Sequence, residues 1–251
     1  MYQIEMQTPS DDYALCWQAA GRHLSVKGDG VINWLKADLT PPFLEHLSFR
    51  LGNQLFFVRL IDQEEKTEMP GTIEGLLNIA EECCGHACLM QMRQIGQNWA
   101  PAHDGWGLTE ARSGKPINPI ELVSDEPIEM TKWEIQDFAV QVVKNHVSSQ
   151  LNKKLLSSQA NPDVQPSLWF EGDNGPEWVV VQASVFPNRE PLNKCDIDLV
   201  AEGCAKLSER GHIANIGFSN ANQEGEDSSL LLPLLRGHRA MIKFEGFKRY
   251  R

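Results

Sequence analysis

With 251 residues, 41% hydrophobic and 23% charged, the chain has the make-up of a folded globular protein and the length for one large domain or two ordinary ones. A formal net charge of −11 opposes any general attraction to phosphate backbones, so nucleic acid is not an expected partner. No run approaches the ~20 uninterrupted apolar residues that span a bilayer. Met1 to Asp12 shows no basic segment followed by an apolar one, so a cytoplasmic protein without a membrane partner is expected.

The charge is uneven. Residues 1–125 carry 9 basic and 17 acidic side chains, and residues 126–251 carry 14 and 17. The last sixteen residues set Arg236, Arg239, Lys243, Lys248, Arg249 and Arg251 against Glu245 alone. That pattern suits a solvated strand edge and tail, or a small patch for a phosphate or a partner. The six cysteines, Cys16, Cys83, Cys84, Cys88, Cys195 and Cys204, are too few for a disulfide scaffold and read as reduced thiols.

In chain order, Ser10 or Asp11 caps a first helix with Tyr13, Trp17, Ala20 and Leu24 at helical spacing. Lys27 to Gly30 is a turn and Val31 to Leu35 a strand. Pro41-Pro42 precedes a hairpin over Leu47 to Leu60, and Gln63 to Glu68 is a charged loop. A helix from Thr72 to about Cys83 presents Ile73, Leu76, Leu77 and Ala80 inward, and Ala87 to Met92 is a strand. Trp99 to Pro119 is rich in Gly and Pro, with a hairpin around Gly107 to Ile117, and Glu121 to Glu129 reads as a linker. Thr131 and Glu134 then form a capping box, stapled by Met130 and Ile135. The helix they start carries Ile135, Phe138, Ala139, Val142, Val143, His146, Val147 and Leu151 as one stripe.

Lys154 to Ser158 is a short strand. The runs at Leu168 to Phe170 and Trp178 to Ala183 flank a Gly/Asp/Asn/Pro cluster and make the main hairpin, with a four- to five-residue turn. Asp196 to about Ser208 is a helix, His212 to Phe218 a strand, Ser219 to Ser229 a polar loop and Ala240 to Phe247 a last strand.

The halves echo each other. An offset of 121 aligns Leu35 with Leu156, Pro41 with Pro162, Leu47 with Leu168 and Phe49 with Phe170. A two-residue shift in the turn pairs Val58 with Val181 and Arg59 with Gln182. The first offset then sets Ile79 to Cys83 against Val200 to Cys204, and Gly85-His86-Ala87 falls on Gly211-His212-Ile213. The expectation is an α+β protein of two tandem αβββαβ units, residues 1–125 and 126–251, each a mixed sheet covered by helices, arisen by internal duplication.

That element order resembles the core of the PD-(D/E)xK, or restriction-endonuclease-like, superfamily. The resemblance implies an Asp on the second strand, and an acid and a Lys two apart on the third, holding a divalent metal and orienting water. Carried across, the third-strand pair falls on Val180 and Gln182 and the second-strand acid on Ser167. In the first half the positions fall on Phe57 and Arg59, with Ser48 or His46. None of these supplies the metal ligands. Out of frame, Asp163, Glu171 and Glu177 offer oxygens suited to Mg²⁺, with Val179 where the lysine belongs. The order also resembles secretion-chaperone and YbjN-like proteins, which are acidic, dimeric and non-catalytic, and whose closing hairpin the last two strands match.

Cys83, Cys84, His86 and Cys88 place four soft-metal donors within six residues, a set that would suit Zn²⁺. No second CxxC or HxxxH completes the site, and small buried thiols explain the cysteines better. His86, His212 and His238 each follow a Gly at a strand start, either bonding backbone in a turn or lining a cleft. There is no GxSxG, GxGxxG or phosphate-cradling loop. The sequence thus points to a non-catalytic binding or assembly module with no cofactor, acting on a protein partner or a second copy of itself. The alternatives are a divergent Mg²⁺-dependent nuclease or hydrolase using Asp163, Glu171, Glu177 and Gln182, and a Cys/His metal protein.

Overall fold

The computed structural model describes residues 9–39, 46–192, 195–223 and 231–250. The expectations for Pro41-Pro42, for residues 224–229 of the polar loop and for Arg251 lie outside them. The described chain divides into two compact units, residues 9–39 with 46–128 and residues 129–250. Each sets helices on a mixed sheet, so the protein is of the α+β class.

The N-terminal unit opens with α1 (Asp11–Gly28), whose first turn is capped by the Ser10 side chain accepting from the Tyr13 N–H. Asp29 ends it in the left-handed region at φ 42°. Tyr13, Trp17, Ala20 and Leu24 are all buried, as their spacing predicts. The strands β1 (Asn33–Lys36), β2 (Leu47–Leu51) and β3 (Gln54–Asp62) form an antiparallel meander. Helix α2 (Ile73–Glu82), capped by Thr72, returns the chain so that β4 (His86–Ile95) lies parallel to β3. Of the four positions expected to face inward on α2, Leu76 and Ala80 are buried, while Ile73 at the first turn is exposed. Beyond β4, β5 (Asn98–Pro101) and β6 (Leu108–Glu110) both pair antiparallel with it, and β7 (Pro116–Ile117) completes the hairpin expected around Gly107 to Ile117. The stretch read as linker instead overlaps a short helix, α3 (Pro119–Leu122), and the unit boundary falls at Ile128/Glu129. The core packs α1 on Leu47, Phe49, Leu51, Phe56, Val58, Leu60, Cys88 and Met90.

The C-terminal unit opens with α4 (Lys132–Asn145), and its capping box is complete. Thr131 Oγ1 accepts from the Glu134 N–H at 3.3 Å, and Glu134 accepts from the Thr131 N–H at 2.8 Å. The buried face is Ile135, Gln136, Ala139, Val140 and Val143, rotated from the expected stripe; Phe138 and Leu151 stand exposed. From His146 to Gln150 the helix widens to a π turn. Then follow β8 (Leu155–Ser158), β9 (Leu168–Gly172), β10 (Gly175–Val185), α5 (Ile197–Cys204), β11 (Gly211–Asn220) and β12 (Ala240–Tyr250), in the spatial order β12-β11-β10-β9-β8. Strand β11 is parallel to β10, and the other pairs are antiparallel. Alternation along β10 sends Val179, Val181 and Ala183 toward the α4 core, and Trp178 and Val180 toward α5. Both faces of this strand are thus covered, as its continuous apolar run requires.

The units share one sequence of elements and pairings: helix, meander, helix, parallel strand, antiparallel strand. The register corrects the alignment read from the sequence. Leu51 pairs with Gln54 and Gly172 with Gly175, so both hairpins have two-residue turns, and the main one is not four to five residues long. Leu47 lies opposite Val58 as Leu168 lies opposite Val179, so in the hairpins Val58 corresponds to Val179, not Val181. Their caps, Thr72 and Asp196, put α2 and α5 in step at an offset of 124. Ala80 therefore corresponds to Cys204, and Cys83 and Cys204 are both buried without being equivalent. The expected match of His86 with His212 shifts too: Val58 faces Cys88 where Val179 faces His212, so the offset of 124 carries on and His212 corresponds to Cys88.

Candidate functional site

The main polar constellation of the C-terminal unit sits on the α4 face of its sheet, at the π-turn end. His212, at the start of β11, places Nε2 2.6 Å from Glu177 Oε2 on the neighbouring strand, each side chain only 17% exposed. The parallel register explains the meeting: His212 lies opposite Val179, and Glu177 is two residues earlier on the same face. The imidazole leans over Phe247 and Phe170, with ring centroids 5.2 and 5.8 Å away. His146, first residue of the π turn, stands edge-on to Phe244 and Phe247, 5.1 Å from each, and its Nδ1 meets Gln150 Oε1 at 2.7 Å.

A β-bulge delivers both phenylalanines to this face. Ala214 pairs with Phe247 and Ile216 with Phe244, so Glu245 and Gly246 together oppose one residue of β11, with Gly246 at φ 90°. Without the extra residue, side chains three apart would project to opposite faces. Each aromatic contact adds about 0.5–1.5 kcal/mol beyond its buried area.

The first unit has a chemically softer pair, two residues out of step with this one on both strands. His86 Nε2 meets Gln54 Oε1 at 3.0 Å, two residues before its register neighbour Phe56, on which the ring stacks at 5.0 Å. In each unit the residue two before the histidine's register neighbour meets the ring, a neutral amide in one and a carboxylate in the other.

The residues singled out from the sequence do not gather. Glu177 faces α4 with Phe170, whereas Glu171 pairs with Pro176 and projects from the opposite face of the hairpin. Asp163 lies exposed in the turn between β8 and β9, its N–H donating to Asn161 Oδ1 at 2.9 Å. Gln182 is on the α5 face and hydrogen-bonds Cys195, whose thiol is raised chiefly by burial. Ser167 is buried, accepts from the Val181 N–H at 3.3 Å and donates to Gln165 Oε1 at 3.0 Å. Among the described residues no three His, Cys, Asp or Glu side chains are placed to hold a metal ion.

The cysteine cluster is likewise dispersed. Cys83 is buried behind α2, Cys84 is exposed at φ 48°, His86 is engaged by Gln54, and Cys88 lies in the α1 core with its Sγ donating to the His86 carbonyl at 3.8 Å. Burial pushes the thiol of Cys88 up, that of Cys16 up to about 12 with help from Asp62, and that of Cys204 up to about 11. These are packed thiols, not thiolates.

One buried pair escaped sequence reasoning. Arg236, counted there with the basic tail, is fully buried and grips Glu134 with Nε at 2.9 and 3.0 Å and Nη2 at 2.8 Å. It fastens the segment before β12 onto the first turn of α4, beside the Met130 N–H donating to the Leu234 carbonyl. Of the tail's other described basic residues, Arg239 is exposed, and Lys243, Lys248 and Arg249 are exposed along the edge strand β12.

Chemically, the Glu177–His212 pair is a carboxylate-oriented imidazole, two members of a relay that needs a nucleophile as its third. Among the described residues no hydroxyl or thiol bonds the ring. No helix among them is long and apolar enough to cross a membrane. No curated protein and no solved structure matches the chain. Residues 133–250 are similar to a family described as a domain of unknown function (DUF8840), a span that contains every member of this cluster.

Proposed function

We propose that the chain is a cytoplasmic binding or assembly module built from two copies of one αβ unit, acting on a protein partner or on a second copy of itself. The observation that favours this over a metal-dependent hydrolase is the commitment of Glu177. Its carboxylate is taken by His212 at 2.6 Å, whose ring in turn packs on Phe170 and Phe247, while Glu171 leaves from the other face of the hairpin. An acid held this way stiffens the junction of β10, β11 and β12. It is poorly placed to share a hydrated cation, which needs several oxygens converging at once. The shared element order of the two units supports the duplication.

The test pairs calorimetric titration of the chain with Mg²⁺ and Mn²⁺ with a nicking assay on DNA and RNA, and with sedimentation of the purified chain across concentration. The expected outcome is neither stoichiometric metal binding nor cleavage. Cleavage that disappears in Glu177→Ala would replace the module with the hydrolase.

A further inference from the structure

At one end of the C-terminal sheet two arginines share a cleft. It has a volume of about 430 Å³ and opens between Asn174 and Pro176 of the β9–β10 hairpin, Leu207 to Arg210 of the connection into β11, and Arg249 of β12. Pockets for small molecules hold roughly 300–1,000 Å³, so this one suits a small molecule and not a folded partner.

Arg210 and Arg249 are diagonal neighbours. His212 lies opposite Arg249, and Arg210 is two residues before His212 on the same face. Such positions stand roughly 7–8 Å apart, within common reach of two long side chains. Arg210 is half-buried and anchored in the wall, its Nη1 donating to the Asn174 carbonyl. Arg249 is exposed and makes no ion pair or hydrogen bond among the described residues, which leaves its donors to a ligand.

The acids that would cancel these charges are too few or already engaged. Glu177 is held by His212 at 2.6 Å and Asp173 by Lys153. Glu171 sits opposite Pro176 without lining the cleft. Glu209 is the one acid among the described lining residues, and it forms no ion pair with any of them. Two cations against one anion leave the lining positive in a chain whose net charge is −11. Ser208 adds a hydroxyl, whose oxygen accepts from the Arg210 N–H at 3.1 Å and whose hydrogen remains to donate. Leu207, 73% exposed, and Pro176 supply a short apolar wall.

We propose that this cleft binds a small organic oxyanion, a phosphate monoester or a carboxylate on a short apolar body. Arg249 and Arg210 take the oxygens, because a guanidinium edge matches two oxygens of either group. Ser208 donates beside them, and the body rests on Leu207 and Pro176. The site is independent of the binding-module reading and stands or falls without it.

Calorimetry of the full chain at low ionic strength, with phenyl phosphate in one arm and phenylacetate in the other, tests the site. At least one of the two is expected to bind saturably at one per chain and more weakly as salt is added, and the arm that responds identifies the group. Arg249→Gln, at an exposed position without bonds to lose, weakens binding by about tenfold, the loss of a charge-assisted contact. Lys243→Gln removes the same charge from the same strand outside the cleft and leaves binding unchanged. Glu209→Gln tightens it several-fold, a sign that damage to the fold would not produce. Failure of both probes to bind overturns the proposal, as do equal losses in Arg249→Gln and Lys243→Gln, undiminished binding in Arg249→Gln, or weaker binding in Glu209→Gln.

Discussion

His46 shows how one side chain couples the fold to pH. Burial, reinforced by the charge of Lys36, lowers its pKa to about 3, so the ring is neutral in the folded protein. Unfolded, it titrates near its ordinary value of about 6.5. Above that value both states are neutral and nothing depends on the ring. As pH falls, the unfolded chain takes up a proton that the folded one refuses, and stability drops by up to about 1.4 kcal/mol per pH unit until about pH 3. Urea denaturation at pH 7 and pH 5 should show this loss in the wild type and a smaller one in His46→Phe. An equal loss in both would remove His46 from the account. Asp62 works alongside it: burial raises its carboxyl, but N–H groups of Glu64, Thr67 and Lys66 outweigh that and hold it low. The stability it supplies is present above its unfolded pKa and is lost as pH falls through the folded one. The Thr131–Glu134 capping box could be read from the sequence because its partners are three residues apart. The Glu134–Arg236 grip could not, because it joins residues 102 apart and looked like one more basic residue in a basic tail.

At the scale of elements, the misreadings share a physical origin. The alignment slipped by two residues on a strand and by three on a helix, and these slips leave every side chain on its original face. Apolar patterning is blind to them, whereas cap residues and turn lengths are not: Thr72 and Asp196 carry the true helix register. Helix α4 was legible in its position and start, but its buried face turned because the π turn and the packing on β10 are not local properties. The close approach of β10 and β11 gives a test at this scale. A Cβ on Gly211 would stand 2.0–2.3 Å from ring carbons of Trp178, which is fully buried with its Nε1 donating to the Ser208 carbonyl. Gly211→Ala should therefore lower stability by about 1–3 kcal/mol through overpacking. Gly203→Ala, on α5 with nothing within 4 Å of the new methyl, should raise it by roughly 0.5–1 kcal/mol. Chemical denaturation of both variants reads the opposite signs, and equal signs would defeat the packing argument.

For the whole molecule, the strongest inference from sequence was that two related units follow one another, each with its own interior. The separate cores, Leu47 to Leu108 beneath α1 and Ile135 to Phe218 beneath α4, give that a thermodynamic meaning. Residues 129–251 expressed alone should unfold cooperatively in urea, with near-UV circular dichroism intact beforehand. A molten product that binds hydrophobic dyes would mean that the second interior cannot stand unaided. The bulge at Glu245 and Gly246 has a consequence at this scale too. An incoming strand seeking the free border of β12 would meet a ladder broken at mid-length and studded with lysine and arginine. Register would be lost after four or five residues, so growth from that border into a filament stalls almost as soon as it begins.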